Sequence, residues 1–181
     1  MKKQVLFIQG GSNDGYNADA PMVQSLRQAL GDGYEVIYPQ IPSDENAPDF
    51  GWLQQIGKEI EPLKDGAILA GHSLGASMLL KYLSENEATK NFAGLFLVAA
   101  PYWSGDEDWV QGLKLHPDFA KSLPQNVPLF FYHSKDDEEV PFAQLDFYRH
   151  FLPSATFTEV EHGGHQFNHD LGVVAQDMKG L

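Results

Sequence analysis

The chain has 181 residues, no cysteine, and 12 Lys+Arg against 25 Asp+Glu, giving a formal net charge of −13. That length fits one domain, residues 1–181, able to bury about 70% of the surface its unfolded form exposes. The missing cysteines exclude disulfides, thiolate–zinc sites, iron–sulfur clusters and a cysteine nucleophile, and the acidic balance argues against nucleic acid and anionic membrane surfaces as partners.

The first apolar run, Val5, Leu6, Phe7 and Ile8, is too short for the core of a signal peptide and reads as a strand ending at Gly10-Gly11. A helix is predicted over residues 19–30 from the spacing of Met22, Leu26 and Leu30, with Asp19 as its N-cap, Pro21 in its first turn and Gly31 and Gly33 as its stop. Residues 35–38 form a short second strand closed by Pro39 and Pro42. Trp52, Ile56 and Ile60, four apart, place a helix over residues 49–61. Strands follow at 67–70, 95–99, 129–132 and 156–160. Helices are carried by Ala76, Leu79, Leu80 and Leu83, by Ala143, Phe147 and Phe151, and by residues 170–179. The long connection at residues 101–128 is read as a loop-and-helix excursion that partly roofs a pocket.

Short strands alternating with helices predict an α/β protein: a three-layer α/β/α sandwich around a mostly parallel six-stranded sheet. Such sheets bind ligands at the carboxyl ends of their strands, where strand order reverses. No run approaches the roughly 20 apolar residues that span a bilayer. The chain therefore reads as a soluble cytoplasmic protein, monomer or homodimer, acting on a small molecule.

Gly71-His72-Ser73-Leu74-Gly75 matches G-x-S-x-G, and its context gives the match meaning: a strand runs into it and a helix runs out. A tight strand-to-helix turn needs glycine on both sides and projects the serine from the top of the sheet at a helix N-terminus. A serine hydroxyl needs a base, and the base an orienting acid. Two later strand ends supply candidates: Asp136, Asp137, Glu138 and Glu139 after the fifth, and His162 and His165 after the sixth. On the residues alone the choice within each set stays open, and most of the acidic run reads as a solvated loop.

Taken together, Gly71-x-Ser73-x-Gly75, Asp137-x-x-Val140-Pro141 and Gly164-His165 resemble the α/β-hydrolase superfamily, across nearly the whole chain. Small size and the absence of a lid domain resemble its compact branch, the retinoblastoma-binding serine hydrolases and their bacterial relatives. The resemblance implies a minimal α/β-hydrolase fold with Ser73 as nucleophile, His165 as general base and then acid, and Asp137 as the orienting acid. Asp137 and His165 are selected over Asp136 and His162 by the family's segments. It also implies an oxyanion hole built from the Leu74 N–H and that of Gly11 or Ser12, and no cofactor. The retinoblastoma partner does not transfer, because in those relatives it rests on an L-x-C-x-E type element and this chain has no cysteine.

Tyr102, Trp103, Trp109, Phe142 and Phe167 are candidates for an aromatic substrate pocket, being adjacent in sequence to the site loops. Asp106, Glu107 and Asp108 read as a solvated loop rather than as a cation site. The expected activity is that of a serine hydrolase, carboxylesterase-like or possibly amidase- or aminopeptidase-like, cleaving a small ester, thioester or amide through an acyl-enzyme. Two other readings compete: a non-catalytic binding protein on a hydrolase scaffold, and a metallohydrolase on His162, His165, His169 and Asp170. The latter spacing lacks H-E-x-x-H, and Gly163-Gly164 breaks the helix that would align the ligands, so no metal is expected.

Overall fold

A computed structural model describes residues 2–87 and 89–181. Strands β1 (Lys3–Ile8), β2 (Tyr34–Ile37), β3 (Ile68–His72), β4 (Gly94–Val98), β5 (Leu129–Ser134) and β6 (Thr156–Val160) form one sheet in the order β2-β1-β3-β4-β5-β6. Every adjacent pair is parallel. The helices are α1 (Gly15–Leu30), α2 (Trp52–Ile60), α3 (Leu74–Glu85), α4 (Asp108–Gln111), α5 (Phe119–Ser122), α6 (Leu145–Phe151) and α7 (Gly172–Lys179). Among the described residues none is long and apolar enough to cross a membrane.

Alternation along each strand divides the core into two halves. Val5, Phe7, Ile68, Ala70, Phe96 and Val98 face α1 and α7, packing on Met22, Leu26, Val174 and Met178. Leu6, Ile8, Leu69, Leu95, Leu97 and Phe131 face the other way, onto Trp52, Ile56, Leu79, Leu83 and Tyr148 of α2, α3 and α6. Because both faces are covered, the central strands are apolar at successive positions, which is why they read as unbroken runs in the sequence. The three layers and the parallel sheet agree with the sequence reading.

Several boundaries differ from it. Helix α1 begins at Gly15, so Asp19 is not its N-cap but a buried residue in its second turn, and Pro21 lies inside the helix. The carboxylate of Asp19 accepts the Gly10 N–H at 2.7 Å instead of capping its own helix. Helix α2 starts only at Trp52 because Phe50 and Gly51 adopt φ of 55° and 70°, although Asp49 still accepts the Leu53 N–H at 3.1 Å. Helix α7 starts at Gly172, two residues late, because Phe167, Asn168 and His169 form a left-handed turn with φ of 51°, 49° and 58°. The excursion between β4 and β5 carries α4 and α5 and is anchored rather than loose. Leu113 and Phe119 join the core, and Lys81 donates to the Lys114 carbonyl at 2.6 Å.

Strand order reverses between β1 and β3, and the loops leaving these two strands meet there. Gly75 in the first turn of α3 lies so close to β1 that a Cβ would sit 2.1 Å from the Gln9 carbonyl oxygen and 2.5 Å from that of Ile8. No side chain fits without moving the helix off the sheet. Gly75→Ala should therefore cost about 1–3 kcal/mol of stability or more, whereas Gly33→Ala, which meets nothing within 4 Å, should change it by less than about 0.5 kcal/mol. Urea denaturation midpoints of the two variants check this.

Candidate active site

The elbow between β3 and α3 is a turn of a single residue. Ser73 sits at φ 51° and ψ −123°, a left-handed conformation that costs a non-glycine residue about 1–3 kcal/mol. Its N–H donates to the Val98 carbonyl at 2.9 Å, tying the elbow to the end of β4. Behind it a Cβ at Gly71 would meet the Ala76 nitrogen at 2.8 Å, so both glycines of the motif are sterically required. The loop after β1 lies over the first turn of α3: a Cβ on Gly11 would come within 3.1 Å of the Leu74 side chain, and one on Gly10 within 3.4 Å of Ser73 Cβ. Gly11, Ser12, Ser73, Leu74 and His165 all line one cavity of about 510 Å³ at the carboxyl ends of the strands.

The acid and base candidates separate into an inner and an outer pair. His165, 3% exposed, places Nδ1 at 3.0 Å from both carboxylate oxygens of Asp137, whose side chain is fully buried. Asp137 Oδ1 also accepts the N–H groups of Glu139 at 2.9 Å and Val140 at 2.8 Å, and Oδ2 lies 3.3 Å from His133 Nε2. His162 is at the surface, its Nδ1 3.4 Å from Asp136 Oδ2. Ser73 and His165 thus line one cavity with Asp137 bonded behind the histidine, while Asp136 and His162 pair with each other away from it.

Asp136, Glu138 and Glu139 are exposed, as the composition of the acidic run suggests, yet each makes a specific contact. Asp136 Oδ1 accepts the Ser134 hydroxyl at 2.6 Å and the N–H groups of Gly163 and Gly164 at 2.9 Å each, clamping the histidine loop to the end of β5. Glu138 accepts the backbone N–H of His165 at 3.2 Å. Glu139, largely exposed, lines the cavity with Oε2 3.6 Å from His165 Nε2. No spacing rule identifies these contacts, since the partners lie 27 or 28 residues away along the chain.

These contacts set the ionisation of the site. Burial alone would raise the Asp137 carboxyl, but hydrogen bonds from His133, His165 and the Val140 and Glu139 N–H groups outweigh it and hold the group well below the usual carboxylate range. Asp136 is held low by the Ser134 hydroxyl and the two glycine N–H groups. For His165, burial disfavours the charged ring, yet the bond and charge of Asp137, with Glu139 and Asp19 beyond, give a net upward shift from 6.5.

Of the aromatic candidates, Trp103 and Trp109 line the cavity, packed edge to face at 5.5 Å, with Trp103 Nε1 donating to Ser77 Oγ at 3.0 Å. Tyr102, Phe142 and Phe167 do not line it. Tyr102 stacks on Phe147 at 4.8 Å, and Phe142 presents its edge to His133 at 5.7 Å, behind the acid loop. Phe167 is turned by its left-handed backbone into the core beside Leu171 and Val174. Further walls, missed in the sequence, include Asp19, His72, Phe50, Leu113, Gln144 and Gln166. Asp106, Glu107 and Asp108 are exposed. Among the described residues no group of three or more His, Asp or Glu side chains is arranged to hold a metal ion; His162 and His165 turn to different carboxylates.

A family model described as Serine hydrolase matches residues 39–176, and the chain belongs to that family. The Bacillus subtilis (strain 168) protein YdeN is 26% identical over 170 residues, 91% of this chain and 86% of the relative. The crystal structure of the ydeN gene product is similar with a TM-score of 0.71 at 19% identity, covering 99% of this chain and 98% of that one. A thioesterase domain from the curacin biosynthetic pathway gives 0.74 at 17% identity (98% and 91% covered). Est1E from Butyrivibrio proteoclasticus gives 0.70 at 14% (99% and 86% covered). These likenesses speak for the fold, a compact α/β-hydrolase; the family makes the chain a hydrolase.

Because Asp137 is held lower in the folded chain than the roughly 3.9 of an unfolded aspartate, the stability it contributes is complete above about pH 4 and lost as pH falls through its folded value. Asp137→Asn should accordingly be less stable than wild type at pH 6, with the gap narrowing toward pH 3. Urea denaturation across that range measures it.

Proposed function

We propose that this serine hydrolase cleaves a small ester, thioester or amide through an acyl-enzyme on Ser73, with His165 as general base and then acid and Asp137 as the orienting acid. The observation that carries the reading is the buried, bidentate contact of His165 Nδ1 with Asp137, 3.0 Å to each oxygen, at the wall of the cavity that the strained Ser73 also lines. With Nδ1–H committed to Asp137, Nε2 is the nitrogen left to act as base, with Glu139 Oε2 3.6 Å from it. It takes the Ser73 proton as the hydroxyl attacks the carbonyl carbon. The tetrahedral oxyanion is stabilised by the Leu74 N–H at the start of α3 and by the N–H of Gly11 or Ser12. Collapse expels the leaving group, which takes the proton from Nε2. Water, deprotonated by the same nitrogen, then releases the acid and restores Ser73.

The cavity volume of about 510 Å³ suits a small molecule rather than a polymer. Its walls combine apolar surface from Trp103, Leu113 and Phe50 with a comparable share of polar groups, Ser12, Gln144 and Gln166 among them, which suits a small substrate with one apolar and one polar end. The thioesterase domain among the structural neighbours makes acyl thioesters, beside p-nitrophenyl esters, the first substrates to try.

Ser73→Ala should lower kcat by about 10⁶-fold while leaving the circular-dichroism spectrum intact, because the hydroxyl does chemistry rather than packing. Asp137→Asn should cost about 10⁴-fold. Since His165 acts as a base only when neutral and its pKa is shifted upward, kcat/KM should rise with pH through a midpoint above 6.5. Hydrolysis of a p-nitrophenyl ester from pH 5 to 9 tests all three, and a flat profile or an active Ser73→Ala variant contradicts the reading.

A further inference from the structure

Two ionisable side chains beside the site are more deeply buried than its own histidine and have no part in the proton transfers above. Asp19, in α1, and His72, the last residue of β3, are each 1% exposed. Their closest atoms, Asp19 Oδ2 and His72 Nδ1, are 2.9 Å apart. The same Asp19 oxygen accepts the Gly10 N–H at 2.7 Å. On the far side of the ring, His72 Nε2 lies 3.0 Å from the backbone carbonyl oxygen of His165. A carboxylate and a carbonyl are both acceptors, so each ring nitrogen of His72 faces one acceptor. The chain Gly10 N–H, Asp19, His72, His165 C=O thus joins three segments that the proposed reaction requires in fixed relation: the loop after β1, the strand that delivers Ser73, and the base.

We infer that the Asp19–His72 pair is a positioning device for the hydrolytic reaction, setting the oxyanion loop and His165 against Ser73 and holding a carboxylate near the base. The inference rests on the roles proposed for Ser73 and His165. Neither side chain touches the reacting atoms as argued, so both are positioning residues. Burying two ionisable side chains is a poor way to gain stability, since an apolar pair of similar volume would serve the core as well. Such a pair could not hold the Gly10 N–H and the His165 carbonyl at once. The backbone at Gly10 is fitted to it: a Cβ there would lie 3.1 Å from His72 Nδ1 and 3.4 Å from Asp19 Oδ2.

The pair also bears on the charge of the base. The rings of His72 and His165 are 4.6 Å apart between centroids. The groups facing His165 are Asp137 and Glu139 from the loop after β5, Glu138 on its backbone N–H, Asp19 from α1 and His72 from β3. Asp19 is one of the anions that favour the protonated form of His165. Asp19→Asn removes that anion and makes protonation of the base harder.

The test is the rate of labelling by a fluorophosphonate as a function of pH for wild type, Asp19→Asn, His72→Gln and the double variant. The inference predicts plateau rates about 10–100-fold below wild type in both single variants. It predicts an acid midpoint displaced downward in Asp19→Asn and in the double variant, both of which lack the carboxylate. An unmoved or raised midpoint in Asp19→Asn, or a wild-type plateau rate in either single variant, would overturn it. A wild-type protein that does not label overturns the catalytic reading itself, so the two failures are distinguishable. Should the variants not fold, nitrogen-15 spectra of wild-type His72 decide: a slowly exchanging Nε2–H signal, bonded to the His165 carbonyl, is expected, and its absence contradicts the inference.

Discussion

The closeness of three backbones at the strand-order reversal governs everything else in the site. Helix α3 starts so near β1 and β3 that positions 71 and 75 have room only for hydrogen. A chain that must turn from strand to helix in that space does so at one residue, and Ser73 takes the left-handed strain. The cost, about 1–3 kcal/mol, is met by the packing of α3 on both neighbouring strands. In return the serine stands at a helix N-terminus with the loop after β1 lying across it. Exchange of either glycine would move the helix, and with it the serine and the neighbouring N–H groups together.

A second organising element is the acidic run after β5, in which consecutive residues take separate tasks. Alternation of side-chain direction sends Asp137 inward to His165 and His133 and Asp136 outward to Gly163 and Gly164. Glu138 then receives the backbone of His165, and Glu139 remains at the cavity wall. His165 is therefore held at its ring by one carboxylate and at its backbone nitrogen by another, while the pair in α1 and β3 takes its carbonyl. Held at all three points, it has little freedom to leave the orientation that the proposed role as base requires.

The central strands were legible because burial on both faces leaves a plain mark, successive apolar residues such as Leu95, Phe96, Leu97 and Val98. The elbow was legible because its glycines answer a local steric demand. Asp19 and His72 were not, since their meaning depends on a partner 53 residues away, and a lone aspartate before an apolar helix reads as a cap. Tyr102, Phe142 and Phe167 were placed in the pocket by their nearness in sequence to site loops. Side-chain direction decides the matter, and at Phe167 a left-handed turn reverses it. The start of α1 was missed because Gly15, Tyr16 and Asn17 give no helix signal of their own. Their helical conformation follows from packing, and a Cβ at Gly15 would come within 2.4 Å of the Gly10 carbonyl oxygen.

The central claim, that this geometry activates one serine, is tested most directly by the intact mass of the protein after stoichiometric fluorophosphonate treatment, with the adduct located by peptide mapping. The account predicts a single adduct on Ser73 that is absent from Ser73→Ala. A folded wild-type protein that takes up no adduct, or takes it up at another residue, would contradict it.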